Sequence, residues 1–382
     1  MRAKKLGSMV LAVVLALSMA SCGDGGDSTT AAAGTTAAPA ATTAAGANTE
    51  TTAAAATTAA GASAEIFSQA DAPTFTIVLA HATAEGQRGD LDCKEFKELV
   101  EERSQGKITV QVYPNGQLGT DRELFESTQQ GNIQICWQTN APHVGFVPEI
   151  AILDQPMVFD SLDIAWKALE SGTELRTALD AAYNKANVEL LNIFPYTYRT
   201  MTSNREIHSV EDFKGLNLRT MDNQYHMAFW SAVGCNPTPL AWGETYIALQ
   251  QGLMDAQENP IDNILSNKIA EVQDYVIRTD HVLFPSCFIM NKAFYDSMPA
   301  EYQQLLKSVL AEIAKSTFDG REASENEQLE TCKSEYGMQV IELDASVREE
   351  MKKLAEPVWE QIYTAVGEEM ATAFKNTLNS VQ

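Results

Sequence analysis

An arginine at the end of a strand is equipped to hold a small anion, and Arg219 is placed in that way. It ends the run Leu216-Asn217-Leu218-Arg219, which reads as the end of a strand. A guanidinium presents two parallel N–H donors to a carboxylate, and a partly desolvated pair of this kind is both directional and strong. The background makes such a residue conspicuous: 27 Lys+Arg stand against 51 Asp+Glu, a formal net charge of −24. So acidic a chain disfavours phosphate backbones and anionic lipid surfaces, which excludes nucleic acid as a partner class. Read locally, a surface or structural ion pair is the default for Arg219. Asn259 can donate and accept, yet Asn before Pro260 is also a common turn residue. Trp242 offers a flat wall with one N–H, or a core side chain. His81 follows the apolar run Phe75 to Ala80, as a hydrogen-bonding group or as a satisfied interior histidine. Glu244 reads as structural, an acid in a helix first turn.

Catalytic and metal signatures are missing. There is no G-x-S-x-G, P-loop, GxGxxG, HExxH, CxxC or clustered His/Cys set, so neither an enzyme nor a cofactor or zinc site is expected. Setting Cys22 aside, Cys93, Cys136, Cys235, Cys287 and Cys332 are odd in number and widely spaced. They read as buried thiols.

The elements that must place these groups follow from periodicity. Phe75 to Ala80 is a strand, Asp90 to Glu102 has helical spacing, and Ile108 to Tyr113 alternates as a strand. Pro114-Asn115-Gly116 makes a turn, Asp121 can cap a helix through Gln130, and Ile133 to Trp137 is the next strand. Strands alternating with helices imply an α/β fold with a largely parallel sheet, in which ligands sit at strand carboxyl ends, here at His81 and Trp137 to Asn140. A second α/β stretch follows Leu190, with strand ends at 216–219 and 256–257 and helices at 222–233 and 242–251. Long helices over 298–325 and 347–377 could buttress both units. The expectation is two lobes with a cleft between them.

The N-terminus differs in kind. Arg2, Lys4 and Lys5 precede an apolar run from Leu6 to Ala20, a secretory-signal pattern too short to span a bilayer. Met19-Ala20-Ser21-Cys22 resembles a bacterial lipobox, with Met where Leu is usual, which implies cleavage after residue 21 and a lipid on Cys22. The remaining chain keeps 24 Lys+Arg against 51 Asp+Glu. Residues 22–65 are largely Ala, Thr and Gly, with ATTAAGA at 41–47 and again at 56–62, a composition suited to a tether. The expected layout is a signal peptide (1–21), a lipidated tether (22–65), lobe I (73–196 plus 285–324) and lobe II (197–284 plus 325–382).

Three ordered blocks carry a family resemblance: SQGKITVQVYPNGQLGTDRE from Ser104, TSNREIHSVEDFKGLNLR from Thr202, and NPTPLAWGETYIALQQGLMDAQENP from Asn236. From about residue 73 onward the chain resembles the DctP-like solute-binding proteins of tripartite ATP-independent periplasmic (TRAP) transporters. The resemblance implies a two-lobed, periplasmic-binding-protein-like fold with long C-terminal helices. It places the carboxylate-binding Arg at Arg219, a second Arg at Arg199, and further contacts at Asn259, Trp242, His81, Asp121, Gln138 and Thr139. Thr220 and Met221 follow the hallmark Arg where many members have a hydrophobic residue and Pro. It implies no enzyme activity and no cofactor. What it does imply is an extracytoplasmic receptor for a small organic acid, with small and large membrane permease subunits as partners and a sodium gradient as the driving force. The set His81, Asp121, Gln138 and Asn259 leans toward a hydroxylated acid such as a sugar acid. A binding protein for an ATP-driven importer or a sensor kinase is the alternative.

Overall fold

The computed structural model describes residues 67–382; the expected signal, Cys22 and the 22–65 tether lie outside them. The first unit runs β1 (Phe75–Ala80), α1 (Arg88–Arg103), β2 (Ile108–Tyr113), α2 (Asp121–Gln130) and β3 (Ile135–Gln138), with β1 parallel to both β2 and β3. Ile77 and Leu79 point inward with Ile108, Val110 and the Phe96 and Val100 face of α1. The sequence pattern made Asp121 the cap of α2, but Thr120 holds that position. Thr120 and Glu123 form a reciprocal capping box, which moves Asp121 to the first helical residue.

Two 3-10 turns (Ala141–Gly145 and Pro148–Asp154), α3 (Leu162–Leu169) and α4 (Glu174–Lys185) lead to β4 (Val188–Ser203). Then come β5 (Asn217–Thr220), α5 (Gln224–Val233), β6 (Asn236–Pro239), α6 (Trp242–Gln250), β7 (Ala256–Asn259) and α7 (Ile261–Ser266). The chain ends with β8 (Tyr275–Asn291), α8 (Lys292–Ser297), α9 (Ala300–Ser334), β9 (Gln339–Glu342) and α10 (Ala345–Val381).

The sheet runs β2-β1-β3-β8-β4-β7-β5-β6, with β9 beside β8. It is mixed rather than largely parallel. The difference comes from the two longest strands, β4 and β8, which pair antiparallel with each other, while β3 joins β8 and β7 joins β4 in the same sense. Each is buried on both faces along much of its length, so neither shows the alternation that marks a half-exposed strand. Pro195 faces Pro285 beside one of three register shifts, where neither residue has an N–H to donate.

The result is a two-lobed α/β fold whose lobes share β4 and β8. Helix α9, 35 residues and about 50 Å long, packs Leu306, Val309, Leu310 and Ile313 with the β1–α1 core and Leu329 and Cys332 against Ile261, Ile264 and Val276. In α10 the backbone leaves helical geometry at Gly367 (φ 81°), a conformation glycine tolerates. Met351, Ala355 and Ile362 lie before that break and Phe374 after it, its ring edge-on to Phe159. Cys93, Cys136, Cys235, Cys287 and Cys332 are all free and buried.

Candidate ligand-binding site

A cavity of about 40 Å³ opens where the ends of β1, β3, β5 and β7 converge. Ala82, Thr83, Asp121, Trp137, Gln138 and Thr139 approach from one side, and Arg219, Met221, Trp242, Asn259, Asn263 and Phe284 complete it. Thr83 and Trp137 to Thr139 lie just where ligands collect in such sheets, at and beyond the carboxyl ends of β1 and β3.

Arg219 is 2% exposed. Its Nε and one terminal nitrogen donate to Leu240 O, at 3.0 and 2.6 Å, and the guanidinium lies 5.4 Å from the Trp242 ring centroid. The other terminal nitrogen, Nη1, is buried without a hydrogen-bond partner. Burial lowers the guanidinium pKa to about 10, partly opposed by Glu258 and Asp121, so it remains charged at neutral pH. No carboxylate of the described protein lies within ion-pair distance of it. Buried charges are ordinarily paired, so an unpaired guanidinium facing a cavity favours a ligand anion.

Arg199 is placed differently. It grips Glu258 through Nε and one terminal nitrogen, and Glu258 also meets His281 Nε2 at 3.0 Å. Burial opposes the Glu258 charge, yet Arg199 and His281 together hold its carboxyl well below the usual range. Arg199 stacks over Phe284, whose ring lines the cavity, and is not itself part of the wall. His81 is also set back: its Nδ1 meets Thr83 Oγ1 at 2.8 Å, and its Nε2 lies 3.3 Å from Asp90 without hydrogen-bond alignment. Burial lowers the His81 pKa despite that neighbour, so the ring is a neutral support for Thr83.

Several lining groups already have partners. Gln138 donates to Asp121 O at 2.6 Å and meets His143 Nε2 at 2.8 Å. His143, lowered to about 3 by burial, is neutral and also meets the Tyr183 hydroxyl. Thr139 is turned to Asn140, and Asn259 donates to Gln257. The Asp121 carboxylate, by contrast, carries no hydrogen bond. Burial raises its pKa, with Arg219 and Arg199 pulling the other way.

Hydrogen bonds also cross the cleft. Gln87 Nε2 donates to Asn263 Oδ1, Arg88 N donates to Asp262 Oδ2 at 3.0 Å, and Asn223 Nδ2 reaches Asp154 at 2.7 Å and Ala141 O at 3.1 Å. Sequence reasoning missed Thr83, Met221, Asn263 and Phe284. Asn263 could have been found, because it sits one helical turn after Asn259 on the segment that begins at Pro260.

Behind the cavity, Gly89 of α1 lies directly against the Trp137 ring, and a β-carbon there would overlap it. Trp137 is further fixed by its Nε1 donating to Ser286 at 2.7 Å. Gly89→Ala should improve helix propensity yet cost about 1–3 kcal/mol through overpacking. By displacing a wall of the site it should also weaken ligand binding about tenfold, which paired thermal-melt and calorimetric measurements would show.

A two-lobed α/β body enclosing a small cavity of guanidinium, carboxylate and aromatic groups defines a solute-binding receptor. Residues 79–365 match the family described as bacterial extracellular solute-binding protein, family 7 (DctP), and the chain belongs to that family. It is 36% identical over 236 residues to a solute-binding protein of Verminephrobacter eiseniae, covering 61% of this chain and 70% of that one. It is 31% identical to the ectoine-binding periplasmic protein TeaA of Halomonas elongata, over 79% of this chain and 90% of that one. The crystal structure of a TRAP periplasmic solute-binding protein from Desulfovibrio salexigens with bound orotic acid superposes with a TM-score of 0.77. It is 26% identical and covers 80% of this chain and 99% of that chain. These are binding proteins and not enzymes.

Proposed function

We propose that this protein is the extracytoplasmic receptor of a TRAP-type transporter, holding a small organic acid by its carboxylate on Arg219 and delivering it to the membrane permease subunits. The observation that carries the reading is Arg219, a buried guanidinium that lines the cavity and whose Nη1 has no hydrogen-bond partner. Orotic acid and ectoine, named for the two relatives, each contain a ring and a carboxylate. The resemblance to TRAP receptors favours this partner over an ATP-driven importer or a sensor kinase. The lobes divide as 73–196 plus 285–324 and 197–284 plus 325–382, pivoting where Pro195 faces Pro285. Hydrogen bonds from Gln87, Arg88 and Asn223 then close the lobes over the ligand, and a ligand touching both lobes shifts the population toward that form. The Met19-Ala20-Ser21-Cys22 motif supports anchoring of the receptor outside the cell membrane by a lipid on Cys22.

The test is a thermal melt of the purified protein, first unfolded and refolded to remove bound solute, against C4-dicarboxylates, uronates, aldonates, sialic acid and cyclic acids. At a hundredfold excess over Kd, a ligand should add about 2.7 kcal/mol of stability, a shift easily read. Silence across every acid would overturn the carboxylate assignment.

A further inference from the structure

Within the reading of the site as a carboxylate receptor, we infer that the ligand is a compact zwitterion. Its carboxylate meets Arg219, a cationic nitrogen at its other end meets Asp121, and a small ring or alkyl frame between them is held among Trp137, Trp242 and Phe284.

Three observations carry this. The first is the charge balance of the cavity. Arg199 is neutralised by its grip on Glu258, and His81 and His143 are uncharged, so the charges left to face a ligand are one guanidinium and one carboxylate. A monoanion would satisfy Arg219 and add a second negative charge near Asp121 in a largely desolvated space. A zwitterion sets each end against an opposite charge and leaves the enclosed total at zero.

The second is the hydrogen-bond inventory. Gln138, Thr139, Asn259 and Asn263 each already spend side-chain groups on protein partners. Among the residues that line the cavity, the buried groups with nothing to bind are Arg219 Nη1 and Trp242 Nε1, both donors, and the Asp121 carboxylate is an acceptor without a hydrogen bond. Two donors on one side suit the two oxygens of a carboxylate. A lone acceptor on the other suits N–H groups. A polyhydroxylated acid would bring more hydroxyls than this set can pair, and each buried one left unpaired costs affinity.

The third is the wall. Trp137, Trp242 and Phe284 supply aromatic surface, which accommodates a ring or alkyl frame.

The experiment is titration calorimetry of the stripped protein with piperidine-2-, 3- and 4-carboxylate, which vary the separation of ammonium and carboxylate on one ring. Cyclohexanecarboxylate, the same ring without nitrogen, and glucuronate are the comparators. The expected result is that at least one piperidine isomer binds tenfold or more tightly than cyclohexanecarboxylate, and that Asp121→Asn brings the ratio close to one without loss of fold. The substitution should strengthen cyclohexanecarboxylate binding, because it removes a like charge while the backbone carbonyl still accepts from Gln138. If cyclohexanecarboxylate or glucuronate binds as tightly as every piperidine isomer, or if Asp121→Asn leaves the preference intact, the zwitterion is wrong and the acid receptor stands. If no compound here and no acid in the melting panel binds, the receptor reading falls with it.

Discussion

Arg219→Met should reduce affinity for any acid that the wild-type protein binds by about a hundredfold or more, with the unfolding temperature unchanged or raised. The two halves of this expectation have one cause. In the folded protein the guanidinium is desolvated, its pKa is lowered to about 10, and its nearest hydrogen bonds go to a single carbonyl, Leu240 O. A group whose charge is disfavoured by burial is held at a cost, which an apolar side chain of similar length does not carry. Met also retains the stem that lies against Trp242. In the complex the same charge would have a carboxylate, and removing one partner of a buried, charge-assisted pair typically costs about 2–5 kcal/mol. Arg219→Lys separates charge from shape: the ammonium keeps the charge without the two-pronged geometry, so its affinity should fall between the two. Calorimetry and thermal melts on the same samples check both halves. A variant that unfolds several degrees lower and still binds would assign Arg219 to structure instead.

How much of this was legible beforehand depends on what each signal measures. Local periodicity found α1, β2, α2 and both long C-terminal helices, because each has one wet and one dry face, and β1 stood out as a short apolar run. The strands that join the lobes, β4 and β8, were not drawn, since side chains buried on both faces obscure the period of two. Their antiparallel pairing is what makes the sheet mixed. At the site, the rule placing ligands beyond strand ends identified the Trp137 to Asn140 loop. Phe284 escaped because it lies within β8. The separation of Arg219 from Arg199 was also beyond local reading: both are buried arginines at strand positions, and only the fold pairs Arg199 with Glu258 across β4 and β7 while leaving Arg219 without an acid. The polar residues His81 and Gln138 illustrate the same limit. Their types suit a ligand, but their hydrogen bonds are taken up by Thr83, His143 and the backbone of Asp121.

The opposite expectation to Arg219 holds for Glu258. Glu258→Gln should lower stability by about 3–5 kcal/mol near neutral pH, because it strands Arg199 as an uncompensated buried charge; a fall of roughly 5–10 °C in Tm would follow. The sign of the pH dependence makes the test specific. Arg199 and His281 hold the Glu258 carboxyl below its unfolded value, so its contribution is present above that unfolded value and is lost as pH falls toward the folded one. Wild-type stability should therefore drop on the acid side of about pH 4.5, and the variant, already without the charge, should show a shallower acid decline. Replacing both partners, Arg199→Met with Glu258→Met, should restore much of the loss, since the pair's main energetic effect is to avoid burying either charge alone. Binding supplies the last discrimination. Arg199 stacks on Phe284 at the edge of the cavity, so a Glu258 variant that frees its charge adds a second guanidinium near the ligand. If Arg199 serves only to position that wall, the double variant should bind an acid nearly as well as wild type once folded. A large loss in the refolded double variant would instead make Arg199 a second ligand anchor.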